Sequence, residues 1–529
     1  MMSGTSHVVL LALGLGSLVM VVTALARRLP IPTPIVQVGA GFLVGLIPGA
    51  AVPELDPDLV FFVFLPPVLW SAAYFTSLRE FKANLRPIGL LAIGLVVATT
   101  GVVAVASHAL LPGLPWAVAL ALGAIVSPPD AIAAEAIIKR LPVPHRVVVI
   151  LEGESLVNDA SALILYRTAI VAAVTGYFSL GESVVRFFID AAIGILIGLA
   201  VAWFIVAIAR RATDSIALAL LTLLAPYSAW IAAELVHVSA VLSCVAGGFY
   251  LRQHFSTAVA PLARLQNRAV WDVLLFTMNA LIFVLLGIQF GDLLESTPNA
   301  VLARTGLVAL AVSGIVIVVR LVWVPLATFI PRWASADLRR RDPVPNPKSV
   351  GLVAWTSMRG IVSLASALAV PLFLADGRPF PYRLEILIIT MGVILVTLVL
   401  QGITLAPLIR KLGFPADPTA HIEERHARSE ALRSGLERLE DLADEPWVSQ
   451  DEVGRLREEF RRRSELHQAG GGGGNPADAR RRLRREVLRA ERRAMVRLRD
   501  EGAISDEVLQ ELERELDVEA LRLGGGELR

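Results

Sequence analysis

The chain has 529 residues, 55% of them hydrophobic and 18% charged, with a formal net charge of +2 and a mean hydropathy of +0.64. That balance describes a protein whose main solvent is lipid, and the basic surplus is too small and too dispersed for a nucleic-acid surface. With one cysteine, Cys244, an intramolecular disulfide and a cysteine-based metal cluster are both excluded.

A bilayer core of roughly 30 Å takes about 20 apolar residues per helical span, and about 13 such runs follow one another. They lie near 7–26, 31–50, 58–76, 87–111, 115–138, 146–174, 183–209, 215–236, 238–252, 268–291, 301–330, 348–372 and 383–409. The first run has Arg27 and Arg28 behind it and no basic residue before it. That is the reverse of a secretory signal, so it reads as a permanent span.

An ionised side chain in mid-membrane costs at least about 2.5–3.5 kcal/mol, so each one is a functional hypothesis. The fifth run carries "AIVSPPDAIAAEAI", with Pro128 and Pro129 just before Asp130. Two prolines remove backbone donors and clash with the preceding turn, so this helix should break. A broken helix survives in a membrane only against protein or a watery cavity, where free carbonyls and half-helix ends form ion sites. The plainer reading is a proline kink with Asp130 as its cap.

The sixth run carries "LEGESLVND", with Glu152, Glu154 and Asp159. On a helix Ser155 and Asp159 share one face, and Glu154 and Asn158 a neighbouring one. The first face offers a hydroxyl and a carboxylate to a hard monovalent cation or a proton, while the second can pair with an arginine. Glu152, about one turn earlier, suits a funnel that gathers cations. Arg167 could tune Asp159, although a structural pairing serves it as well.

Further along, Glu234 with His237 behind it reads as a residue at the end of a span. Asn279 reads as a helix-helix hydrogen bond, and Arg320 beside Trp323 as a side chain snorkelling to the membrane face. The twelfth run carries "AWTSMRGIVSLASALAVP", which puts Arg359 and Gly360 inside the membrane. Its guanidinium needs a carboxylate, with Glu154 as first choice, or the dipole ends of a second broken helix.

Lysine and arginine alternate between connections. One set holds Arg27, Arg28, Arg79, Lys82, Arg86, Lys139, Arg140, Arg146, Arg210, Arg211, Arg252, Arg264, Arg268, Arg332, Arg339, Arg340, Arg341 and Lys348; the other has little beyond Arg186, Arg304, Arg378 and Arg383. The positive-inside rule makes the first set cytoplasmic, with the N-terminus outside and the C-terminus inside. From about residue 413 charge-dense stretches such as "DEVGRLREEFRRRSELHQ" predict a soluble helical tail, residues 413–529, hinged at the glycine run 469–475.

The stretches "SPPDAIAA", "GESLVNDASALIL" and "SMRGIVSLASALAVP", in that order and spacing, resemble the monovalent cation/proton antiporters, in the electroneutral branch marked by an Asn-Asp pair. "FLPPVLWSAAY", "APYSAWIAAELVHVSAVLSCVAGG", "MNALIFVLLG" and "LVTLVLQGITLAPLIRKLGF" extend the resemblance over about residues 7–414. It implies an all-α membrane protein with a six-helix inverted repeat, spans 1 to 6 and 8 to 13, in which spans 5 and 12 are broken and cross. It also implies a dimerisation part, a moving core and a homodimer in the plasma membrane.

Carried over by position, Asp159 would be the carboxylate that binds proton and cation alternately, with Asn158 as its partner. Asp130, Ser155 and the Pro129 backbone would complete the cation site, and Glu154 would pair with Arg359. Three positions depart from the family's pattern: Pro129 stands where a threonine is common, Ser71 where many relatives have an acid, and Ser357 where glycine is usual.

The mechanism so implied needs no nucleotide or metal cofactor: Na⁺, K⁺ or Li⁺ competes with H⁺ at Asp159, and one-for-one exchange moves no net charge. An electrogenic antiporter of the same fold is the main alternative. A channel would want a continuous polar path rather than two clustered breaks. A hydrolase would want a histidine near Ser155, and no histidine lies at the middle of a predicted span, His237 standing at a span end.

Overall fold

The computed structural model describes residues 4–468 and 501, apart from 27, 30, 48–55, 58–59, 139–140, 177–179, 213, 259–260, 416–417 and 446–447. Its contacts divide the chain into Met1–Ala416 and Asp417–Arg529. The first unit is helical throughout, and among the described residues extended pairing is limited to an isolated bridge between Phe373 and Pro379.

In chain order, leaving aside the six-residue helices Leu78–Ala83 and Ala336–Arg341, the helices are α1 (Gly4–Ala26), α2 (Thr33–Gly45), α3 (Val60–Phe75), α4 (Leu85–Leu110), α5 (Trp116–Val126), α6 (Ala131–Ile138), α7 (His145–Thr175), α8 (Leu180–Ala209) and α9 (Ser215–Leu235). There follow α10 (Ala240–Ala258), α11 (Pro261–Ser296), α12 (Asn299–Ala334), α13 (Pro347–Trp355), α14 (Ile361–Leu368) and α15 (Arg383–Leu412).

Among the described residues six helices carry an apolar segment long enough to cross a membrane without interruption: α4, the Val185–Ala209 part of α8, α9, the Ala263–Ser296 part of α11, α12 and α15. Several of the remaining expected spans are short, broken or charged. The fifth run is split into α5 and α6, the twelfth into α13 and α14, and α7 carries the acidic cluster. Those interruptions are what a uniform 20-residue apolar criterion fails to capture.

The helices pack mainly within two sets: α1–α3 with α8–α11, and α4–α7 with α12–α15. Small residues set the closest approaches in the first set. A Cβ on Gly41 would lie 2.0 Å from the Val284 carbonyl oxygen and one on Gly287 would lie 2.1 Å from that of Val38. Gly45 and Gly291, four residues further on, repeat the contact, so α2 and α11 meet through reciprocal glycine pairs.

In the second set the apolar window of α15 is 67% buried, against 28% for that of α8. The former is a central helix and the latter faces lipid.

The described part of the second unit is a pair of helices, α16 (Pro418–Asp441) and α17 (Gln450–Gln468). Val453 is buried, Phe460 covers Gly435, and Arg457 lies 3.4 Å from Glu440. The glycine run expected as a hinge lies outside the described residues.

Candidate ion-binding site

The site begins with the two helix breaks. Residues 127–130 are unwound between α5 and α6, and residues 356–360 between α13 and α14. The segments touch: the Asp130 backbone N–H donates to the Met358 carbonyl at 2.6 Å. Gly360 is required there, since a Cβ would fall 1.7 Å from Asp130 Oδ2. Asp130 also caps α6, its Oδ1 accepting from the Ile132 N–H at 2.8 Å. One oxygen thus caps the half-helix, as the plainer reading expects, while the other lies against Gly360.

Arg359 is 2% exposed and lies within this crossing. Its Nε donates to the Val126 carbonyl at 3.0 Å and its Nη2 to the Ser127 carbonyl at 3.3 Å, while Nη1 donates to the carbonyl and hydroxyl of Ser357. The expected Glu154–Arg359 ion pair is therefore corrected. Helix breaks release carbonyls, and a guanidinium can donate to these in place of a carboxylate. Ser357, where glycine is usual, supplies two of those acceptors.

Glu154 pairs instead with Arg320 of α12, Oε2 accepting from Nη2 at 2.7 Å and Oε1 from Nη1. Both side chains are 1% exposed. Arg320 Nε also donates to the Val353 carbonyl at 3.1 Å. The snorkelling expected for Arg320 is thus overturned: a fully buried guanidinium needs a buried counter-charge, and Glu154 provides it.

Polar residues of α15 hold the second break, and the sequence reading missed them. The Ser357 N–H donates to Gln401 Oε1 and the Arg359 N–H to Thr397 Oγ1, each at 3.2 Å. The available signal was two polar residues four apart in an apolar span, which share a helix face.

The two faces of α7 separate as their spacing predicts. Ser155 and Asp159 line a cavity of about 840 Å³ together with Asp130, Glu152, Ser71, Asn279 and Gly360, while Glu154 and Asn158 do not line it. Asn158 Nδ2 donates to the Pro129 carbonyl at 2.7 Å. A carbonyl can only accept, so the amide nitrogen must face it. Asn158 and the Pro129 carbonyl, expected among the cation ligands, are therefore engaged with each other and stand behind the cavity wall.

No hydrogen bond to the Asp159 carboxylate or the Ser155 hydroxyl occurs among the described residues, so their oxygens face the cavity uncommitted. Glu152 accepts from Thr76 Oγ1 at 3.3 Å, and Ser71 donates to the Val68 carbonyl at 2.9 Å.

Arg167 stands elsewhere. It pairs with Glu234 at 2.9 Å and lines a second cavity, of about 710 Å³, with His237 and Trp230. The first cavity touches α7 at residues 152–159 and the second at 160–171. Two cavities thus reach toward opposite ends of one helix and meet it at consecutive residues, Asp159 and Ala160.

The chain is similar to known proteins along nearly the whole of the first unit. The sequence profile of the family described as "Sodium/hydrogen exchanger, transmembrane" matches residues 15–411. An uncharacterised Na⁺/H⁺ exchanger of Mycobacterium bovis is 34% identical over 96% of this chain and 94% of its own. A sodium, potassium, lithium and rubidium/H⁺ antiporter of Bacillus pumilus is 34% identical over 78% of this chain and 63% of its own.

The sodium proton antiporter MjNhaP1 of Methanocaldococcus jannaschii shares the fold, with a TM-score of 0.56 at 19% identity over 76% of this chain and all of that one. With two crossed breaks beside an acidic cavity and a family match across nearly all of the membrane unit, the chain belongs to the sodium/hydrogen exchanger family of monovalent cation/proton antiporters.

Proposed function

We propose that the protein exchanges one monovalent cation for one proton across the plasma membrane, with Na⁺ as the first candidate and K⁺ or Li⁺ as the alternatives. The observation that carries this reading is the state of Asp159: a mostly buried carboxylate, 9% exposed, open to a cavity and with no hydrogen-bond partner among the described residues. Such a group binds a proton or a cation but not both, and a site that opens alternately to each side then couples the two gradients.

Asp130 and Ser155 are the further oxygens of the cation site. Asn158, Pro129, Arg359, Gln401 and Thr397 position the two breaks around it. Glu154 and Arg320 lock α7 to α12 and α13. Glu152 and Ser71 line the approach.

One carboxylate exchanging one charge for another, beside a neutral Asn158, makes the cycle electroneutral. The Asp159 cavity is also lined by Arg252 and Arg268, from the arginine-rich set of connections. By the positive-inside rule it faces the cytoplasm, with the N-terminus outside and the tail inside. The cavity at Arg167 and Glu234 is the outer approach. Movement of the α4–α7 and α12–α15 set, to which both halves of the expected inverted repeat contribute, against the other set would transfer Asp159 from one cavity to the other. A homodimer built on the α1–α3 and α8–α11 set would hold that frame still.

The test uses proteoliposomes with an imposed pH gradient, to which Na⁺, K⁺ or Li⁺ is added in turn. Wild type should dissipate the gradient with the transported ion and keep doing so under a valinomycin-clamped voltage, whereas Asp159→Asn should not. A voltage-dependent signal would make the exchange electrogenic, and full activity in Asp159→Asn would remove that residue from the site.

A further inference from the structure

We infer that three arginines at the arginine-rich end of the molecule form a binding site for the phosphate group of an anionic membrane lipid, separate from the ion pathway. Arg86 precedes the apolar stretch of α4, Arg146 opens α7 and Arg332 ends α12. All three line one cavity of about 240 Å³, whose remaining wall is largely apolar, with Leu90, Ile150 and Val324 contributed by those same helices.

One carboxylate lies among them. Asp342 accepts from Arg146 Nη2 at 2.8 Å and also binds Arg332, and it is not part of the cavity lining. Its two oxygens are thereby engaged, and Arg86 Nη1 is left 3.7 Å away. Neither terminal nitrogen of Arg86 has a hydrogen-bond partner among the described residues. Three guanidiniums against one carboxylate leave a local charge of +2, and the unpartnered donors belong to the arginine whose side chain no hydrogen bond fixes.

A phosphate suits that deficit because its oxygens accept from several guanidiniums at once, and donors shut away without partners are costly. The apolar wall points to an amphiphile: Arg86 lines the cavity as it stands, and the acyl chain would lie along α4, α7 and α12. The position fits as well, since arginines at the ends of spans stand at headgroup depth and are drawn to anionic lipid.

The same chemistry could come from a soluble phosphate ester, so the test separates the sources. Thermal melting of the delipidated full-length protein in detergent is measured with phosphatidylglycerol, with phosphatidylcholine of the same chains, and with free glycerol 3-phosphate, for wild type and Arg86→Gln. Phosphatidylglycerol should raise the wild-type Tm above the phosphatidylcholine value by about 3 °C or more. Arg86→Gln should lose that excess while its Tm in phosphatidylcholine stays at the wild-type value.

An equal excess in Arg86→Gln, or none in wild type, would overturn the site. Glycerol 3-phosphate reproducing the whole shift would overturn its assignment to a lipid.

Discussion

Glu154 and Asp159 are five residues apart on the same helix, and their surroundings differ in every respect that matters for function. The Glu154 carboxylate has both oxygens on Arg320 and no access to water, whereas the Asp159 carboxylate has no hydrogen-bond partner among the described residues and faces a cavity. The contrast separates the two uses of a buried charge. A carboxylate with a fixed counter-charge locks helices together, and a carboxylate without one exchanges its ion. Both are costly to bury alone, so each needs a partner: Glu154 has a permanent one in Arg320, and for Asp159 the proposed partner is the transported ion.

The largest expected effect comes from breaking the comparison at its exchanging end. Asp159→Asn should reduce cation-dependent proton movement to the level of empty liposomes while leaving the protein's Tm within a few degrees of wild type, about 1 kcal/mol or less. Breaking the structural end should do the opposite. Arg320→Met leaves Glu154 buried and unpaired, at a cost of about 3–5 kcal/mol. It should lower the Tm and the yield of folded protein, and an added Glu154→Leu should restore much of both by removing the orphaned charge.

Intermediate effects fall on the frame between these two residues. Asn158→Asp would place a carboxylate, which cannot donate when ionised, against the Pro129 carbonyl. The lost bond and the unsatisfied carbonyl should cost about 1–3 kcal/mol, seen as a lower Tm before any change in stoichiometry. Gln401→Leu strands the Ser357 N–H in the same way, at about 1–2 kcal/mol.

The smallest effect concerns Asp342, a loop carboxylate of the arginine cluster. Burial pushes it up, but the hydrogen bond and charge of Arg146 and the charge of Arg332 outweigh that and hold it below the ordinary carboxylate range. Its stabilisation is therefore fully present above the unfolded value of about 4 and is lost as pH falls through the lower folded value. The Tm gap between wild type and Asp342→Asn should be constant near neutral pH and close only under acid conditions.

Much of this was legible in the sequence because it rests on local chemistry. Pro128 and Pro129 announce the first break whatever surrounds them, and the four-residue spacing of Ser155 and Asp159 fixes their common face. What was not legible depends on which helices meet. Glu154 had two buried arginines to choose from, and nothing local to either says that α12 rather than α13 and α14 passes its face. Arg359 found carbonyls because the second break, signalled only by glycine and serine content, lies beside the first.

Asn158 shows a subtler limit. Its neighbour in sequence is Asp159, the proposed exchanging residue, but the 100° turn per helical residue carries Asn158 off the cavity and onto the backbone of the break. The Arg86, Arg146, Arg332 and Asp342 cluster joins three stretches far apart in the chain, so no single stretch reveals it.

The central claim is that one carboxylate serves proton and cation by competition. Initial rates of cation uptake into proteoliposomes, measured across a range of cation concentrations at a series of pH values, test it most directly. On this account each unit of acidification below the half-protonation point of Asp159 raises the apparent KM for the cation about tenfold and leaves the maximal rate unchanged, as two ligands at one site require. A maximal rate that falls with pH while KM stays constant would contradict it and place the proton on a different group.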